Sequence, residues 1–224
     1  MKRLLTISLI LTTSVQISFA QKDAQARKIM NAVGLKYKAY NLIKAEFTFK
    51  LDDPQANIRN TQTGTLIARP KENKFKVIIY DPANKSSEAQ EIISDGKSQW
   101  TYVKKDNEVE LNDIDKSEGN INPAQIFTFY EHGYKYIYNG DYNIGGRVCQ
   151  EIDLTPEDAK KPFFKIRLEI DKVKKHIYSA TIFDKNGSRY TYTIDSFTPN
   201  VKLPETIFTY DKKDHPGVEV VDLR

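Results

Sequence analysis

Three histidines, one cysteine and a scatter of neighbouring carboxylates are the side chains in this sequence that could do chemistry. His132, His176 and His215 lie far apart, and none has a second histidine at helical or hairpin spacing, so no zinc site assembles locally. Cys149 has no Cys-x-x-Cys partner. A Gly-x-Ser-x-Gly elbow and a Gly-rich phosphate loop are both missing. Carboxylate pairs such as Asp52–Asp53 and Glu108/Glu110 could serve as acid and base, but on a chain that is 29% charged such pairs are ordinarily solvated surface. The sequence points to binding rather than catalysis, with no catalytic residue, metal or cofactor expected. One charge stands apart. Arg69, in "GTLIARPKENKFKVIIYD" (64–81), sits between two apolar segments, a permanently charged fork at the rim of a greasy sheet.

The elements that must position these residues begin after a targeting segment. "MKRLLTISLILTTSVQISFA" has a basic start, an apolar stretch from Leu4 to Leu11 and a small-x-small ending at Ser18 and Ala20, the pattern of a cleaved secretory signal. Its apolar run falls short of the roughly 20 residues a spanning helix needs. The expected organisation is a signal peptide over 1–20 and a single domain over 21–224, long enough for a sizeable core. Without Lys2 and Arg3, the 34 basic residues fall to 32 against 30 acidic ones, which gives no electrostatic case for nucleic acid. A lone cysteine in an exported chain forms no internal disulfide, so stability must come from packing.

Ala26, Ile29, Met30, Val33, Tyr37 and Tyr40 recur at spacings of three and four, predicting an amphipathic helix that opens the mature chain. The period then changes to two. Phe47, Phe49 and Leu51 share one face, as do Phe164, Ile166, Leu168 and Ile170, then Tyr190, Tyr192 and Ile194, and also Tyr134, Tyr136 and Tyr138. One wet and one dry face per strand indicates an antiparallel sheet. Turn signals at 94–98, 143–147, 170–176 and the Asn-Gly of 184–189 suggest about ten strands, mostly in meander order. Cys149 alternates with Glu151 and Asp153, which places it on the outer face as a structural residue. A second helix is expected between Asn122, a cap followed by Pro123, and Gly133. Its Ile126, Phe127, Phe129 and Tyr130 are apolar nearly all round, so it must be covered on several sides or face something greasy.

Three stretches, "GTLIARP" (64–70), "EIISDGKSQWTYV" (91–103) and "IFTYDKKDHPGVEVVDLR" (207–224), occur in that order on this helix-then-strands pattern. Together they resemble the periplasmic outer-membrane lipoprotein carrier family (LolA-like), over about 22–224. The resemblance implies an incomplete antiparallel β-barrel, mainly β with α, whose concave apolar face is covered by helices. It implies a soluble periplasmic monomer whose cargo is acylated lipoproteins. An inner-membrane lipoprotein-releasing transporter would be the donor, and the receiver would be an outer-membrane acceptor. The family's Arg-Pro arginine falls on Arg69, where the resemblance implies a latch that bonds the covering helices and holds the cavity shut. This chain departs from the pattern by extra residues at 52–60, 82–88 and 104–120, by Ala68 before the arginine, and by Val77 after Phe75.

On this reading, alternation assigns the acyl-chain lining to Phe47, Phe49, Leu66, Phe75, Val77, Ile79, Trp100 and Tyr102 from the sheet. Ile29, Met30, Val33, Ile126, Phe127 and Tyr130 would contribute from the helices. "VIIY" (77–80) is apolar on both faces, so either could be inward. The competing readings are a periplasmic binder of other amphiphiles or glycolipids, and a sensor domain of the same fold.

Overall fold

The computed structural model describes residues 14–114, 127 and 133–224, with side chains from Ala24 onward. The helix α1 (Ser14–Ala39) runs unbroken through the expected cleavage point and down to the last residues before the sheet. The strands that follow are β1 (Ile43–Asp53), β2 (Ile58–Arg69), β3 (Lys74–Tyr80), β4 (Glu88–Asp95), β5 (Ser98–Val103) and β6 (Glu108–Asp113). The second series is β7 (Tyr134–Ile144), β8 (Arg147–Pro156), β9 (Phe163–Asp171), β10 (Ile177–Asp184) and β11 (Arg189–Pro199), and β12 (Glu219–Asp222) closes the chain. The expected second helix lies outside the described residues except for Phe127.

These strands form one sheet in the order β12-β6-β5-β4-β3-β2-β1-β11-β10-β9-β8-β7. Two hairpin-linked runs, β1–β6 and β7–β11, are joined where β1 pairs β11 antiparallel. This is the open half-barrel with a helix on one face that the sequence led us to expect. The sheet has twelve strands against the roughly ten expected, and one of the additions is the final "EVVD", which joins as β12 in parallel to β6. That pairing covers an edge whose bare N–H and C=O groups would otherwise invite other chains.

The core lies between α1 and the concave face. Ala26, Ile29, Met30, Val33 and Tyr37 of α1 are buried against Phe47, Leu66, Val77, Ile152, Leu154, Ile166 and Leu168. Phe47 crosses its partner Gly64, where a Cβ would come within 2.5 Å of the Ile78 carbonyl and 2.6 Å of the Phe47 ring. Only glycine leaves that ring room to lie flat on the strand.

Two strand-level expectations are corrected. Phe164 does not share the dry face with Ile166: it is 51% exposed against Phe183, and Phe163 is buried in its place. A register slip where Lys165 pairs Phe183 but Phe163 pairs Asp184 accounts for the exchange. Cys149 faces away from the core as expected but is wholly out of solvent, paired to Tyr142 on one flank and Asp171 on the other. Burial pushes its thiol up to about 11, which makes it inert.

Candidate functional site

Alternation along β2 divides the candidate residues between two faces. Gly64, Leu66 and Ala68 turn toward α1, so Thr65, Ile67 and Arg69 must turn away. The register carries that division across the sheet: Leu66 pairs Val77 and Val77 pairs Ile92, whereas Ile67 pairs Lys76, Lys76 pairs Ile93, and Ile93 pairs Trp100.

On the α1 side the structure gathers Ile29, Met30, Val33, Phe47, Leu66, Phe75, Val77, Ile79 and Phe127 in one buried apolar cluster, with Phe49 packed at its margin. The open question at "VIIY" resolves with Val77 and Ile79 inward. The cluster is larger than the sequence suggested, for it continues through Ile152, Leu154, Ile166, Leu168, Ile170 and Ala180 on β8–β10. The period-two pattern of those strands was visible, but nothing local tied them to the same apolar face as β1–β3. At the end of α1, Tyr37 accepts a hydrogen bond from the Ile177 amide at 2.8 Å and stands 4.8 Å from the Phe127 ring. His176 joins this aromatic group, 4.2 Å from Phe197 and 3.2 Å from the Tyr40 hydroxyl. Burial there, with Lys36 adding to it, lowers the imidazole to about 4, so the ring is neutral at neutral pH.

Trp100 and Tyr102 do not belong to this lining. They sit on the opposite face, beneath a strap formed by residues 201–218. Trp100 stacks on Tyr210 at 6.2 Å, Tyr210 lies parallel to His215 at 5.3 Å, and His215 meets Tyr102 at 4.3 Å. The sequence signal was sound for a strand but silent about which face faced α1, because this half of the sheet is covered on both sides. Ile126 and Tyr130 lie outside the described residues.

Arg69 faces the strap as well. Its guanidinium bonds Glu72 at 3.1 Å, pairs with Glu205 of the strap, and stands 5.9 Å over the Phe208 ring. Lys74 completes the cluster, 2.7 Å from Glu72 and 3.7 Å from Glu205. These are the partners of Arg69 among the described residues, and strand alternation turns it to the side opposite Leu66 and Ala68; the expected second covering helix lies outside the described residues. Phe208, Leu42 and Ile67 form a second, smaller apolar cluster beneath the strap. Between strap and sheet opens a half-enclosed cavity of about 530 Å³, lined in part by Lys76, Glu91, Ile93 and His215. Buried Glu91 is ion-paired with Lys76 and lies 3.2 Å from His215 Nε2.

Among the described residues no group of acidic, histidine or cysteine side chains is arranged to hold a metal ion. No described helix is long and apolar enough to cross a membrane.

Comparison with known proteins agrees with this geometry. An uncharacterised conserved protein of Thermus thermophilus superposes with a TM-score of 0.59 at 14% identity, covering 88% of this chain and 99% of the other. A domain of Vibrio parahaemolyticus assigned to outer-membrane lipoprotein sorting gives 0.50 at 11% identity, covering 84% and 97%. MucB gives 0.50 at 14% identity, with 84% of this chain matched to 63% of that one. No curated protein is significantly similar in sequence. The family model for "Outer membrane lipoprotein carrier protein LolA" matches residues 38–211. With that match over most of its length, and an open sheet whose concave apolar face lies under one helix, the chain belongs to the LolA outer-membrane lipoprotein carrier family.

Proposed function

We propose that this protein is a periplasmic carrier that takes the acyl chains of lipoproteins into the hollow beneath α1 and moves them from inner to outer membrane. The supporting observation is the nature of the hold on α1. Among the described residues Ala26, Ile29, Met30 and Val33 of α1 are seated on an apolar face by contacts without direction, and Tyr37 beyond them accepts a buried hydrogen bond from the Ile177 amide. Such a cover can slide or lift without leaving a buried charge unpaired. Donor and acceptor follow from this reading: a transporter at the inner membrane and a receptor at the outer one.

Magnitudes say why a carrier needs a closed empty state. Burying a methylene contributes ~0.8 kcal/mol. Two or three acyl chains offer roughly 30–45 methylenes, a gross ~25–35 kcal/mol that exceeds the practical ceiling of ~18–21 kcal/mol for non-covalent affinity. A hollow standing open would never release such a load. Seating α1 on the same surface opposes loading, because the helix stripe must leave before the chains enter. The difference between the two burials sets an affinity from which cargo can depart.

The test is to purify the protein from the cell envelope, identify bound molecules by mass spectrometry, and measure release of acylated lipoprotein from membranes. Acylated peptides in the hollow, with release depending on the protein, are expected. Glycolipid or free fatty acid instead would establish the amphiphile binder, and the shuttle reading would fail.

A further inference from the structure

We infer that the end of the half-barrel formed by the α1 C-terminus and the β7–β8 and β9–β10 turns is a docking surface for an anionic lipid bilayer. The inference holds whether or not the hollow carries acyl chains. It begins with the β9–β10 turn. The Asp171 carboxylate accepts the Val173 and Lys174 amides at 2.9 and 2.8 Å, and the Asp171 carbonyl accepts the Lys175 amide at 2.8 Å. Lys175 takes the left-handed conformation at φ 53° that closes the loop. The result is a rigid knuckle with Val173 at its tip, 87% exposed between Lys172 and Lys174. Alone such a valine would need no explanation; what signals an interaction site is its grouping with other exposed aliphatic side chains at the same end.

Neighbouring elements add to the knuckle. Lys36 Nζ donates to the Lys174 carbonyl, which fastens the last turns of α1 beside it and brings Leu35, 71% exposed, to the same end. The Lys172 amide donates to the Val148 carbonyl at 2.9 Å, so half-exposed Val148 and its neighbour Arg147 stand on the other flank. Across these segments five basic side chains (Lys36, Arg147, Lys172, Lys174, Lys175) stand with two carboxylates, Asp141 and Asp171. Asp141 is engaged by Lys172 at 2.7 Å, and Asp171 is buried in its turn. The opposite end is balanced: turns 81–88, 104–107, 157–161 and 184–188 hold six carboxylates and six lysines. Without Lys2 and Arg3 the chain carries 32 basic against 30 acidic residues, so the basic excess of these segments is a local feature and not a reflection of overall charge.

Cationic heads around projecting aliphatic tips fit a surface that is negative outside and apolar beneath. Lysine stems reach along the interface while the tips enter it. A protein partner would need a complementary socket for a convex knuckle, whereas a bilayer needs none. Attachment by a few lysines and two or three small apolar groups is weak and reversible, which suits a molecule that must leave the membrane again.

The test is flotation of the purified protein with phosphatidylcholine vesicles, with and without phosphatidylglycerol. Partition onto the phosphatidylglycerol vesicles alone, falling as salt rises, is expected. Lys174→Gln should lower the partition about fivefold and Val173→Asp about tenfold or more. Lys160→Gln, at the balanced pole, should leave it unchanged, and circular dichroism should show all three variants folded. Equal partition onto both vesicles, or a Val173→Asp protein that floats like the parent, overturns the proposal. Failure to float combined with capture by polyglutamate would also overturn it, by making the pole a dock for an acidic protein.

Discussion

The two faces of strands β2–β5 carry covers built on different principles. On the concave face Ala26, Ile29, Met30 and Val33 of α1 rest on aliphatic and aromatic carbon through contacts with no preferred direction. The directed bonds, Ile177 N–H to Tyr37 and Lys36 to the Lys174 carbonyl, are gathered at the C-terminal end of the helix. On the outer face the strap is held by Arg69–Glu205, by His215 beside Glu91, and by a run of ring contacts from Trp100 through Tyr210 and His215 to Tyr102. Apolar burial fixes how much surface must be covered but not where the cover sits. Hydrogen bonds and ion pairs fix a position, because a displaced partner is left buried and unsatisfied. The difference teaches that mobility belongs to α1 and fixity to the strap, and each can be tested by attacking the interaction that defines it.

The largest effect should come from the concave face. Phe47→Ala removes a ring buried across Gly64 and under α1, and is expected to cost ~3–5 kcal/mol in denaturant unfolding. The fluorescence of Trp100, the single tryptophan, should keep its native value until the whole molecule unfolds, because the strap lies on the other side. An early change in Trp100 emission would mean that the two faces are not independent.

The complementary attack is Glu91→Ala, which strips Lys76 and His215 of their shared carboxylate. Leaving those partly buried donors unpaired should cost ~1–3 kcal/mol. Here the Trp100 emission should shift at once, as the Tyr210–His215 stack loosens, while exchange of the α1 amides stays at the parent rate. Added acylated peptide should reverse the pattern by accelerating exchange in α1 and leaving β12 unaffected.

How much of this division was legible in the sequence depends on the range of the information needed. The amphipathic stripe of α1, the period-two strands and the turn residues are local, and they were read correctly along Ala26–Tyr37, Phe47–Leu51 and Ile166–Ile170. Which face of a strand meets the helix is not local. Trp100 and Tyr102 alternate just as lining residues should, and what assigns them to the strap is residues 201–218 folding back over a face that other half-barrel strands leave wet. Phe164 was misplaced by one bulge, a defect that leaves no mark in hydropathy. Arg69 could have been placed by parity alone, since Leu66 and an arginine three positions on cannot share a face of an unbroken strand.

An effect of intermediate size should appear with pH at the end of α1. His176 is held at about 4 in the folded protein, whereas a free imidazole titrates near 6.5. Above that value both states are neutral and nothing changes. As pH falls from ~6.5 to ~4 the unfolded chain takes up a proton that the folded ring refuses, and stability declines. After discount for the ring's partial exposure, the loss should be roughly 1–2 kcal/mol. His176→Phe should flatten that part of the stability–pH curve. A curve with unchanged slope would show that the ring is not kept neutral by its place between Tyr40 and Phe197.

The smallest stability effect, and the one that sharpens the comparison most, belongs to Arg69. Its partners Glu72 and Glu205 are both substantially exposed, so Arg69→Leu should cost only ~1 kcal/mol. The informative readout is where the loosening occurs. If Arg69 fastens the strap, Arg69→Leu changes Trp100 emission and exchange over 205–218, and lipoprotein release from membranes proceeds as before. If it governs the hollow instead, α1 exchange and lipoprotein release change while Trp100 does not. Arg69→Lys separates charge from geometry, because an ammonium can pair with Glu205 but cannot fork to Glu72 and Glu205 together while lying over Phe208. A lysine that restores the strap signal only in part would show that the fork, beyond its charge, keeps the outer cover in register.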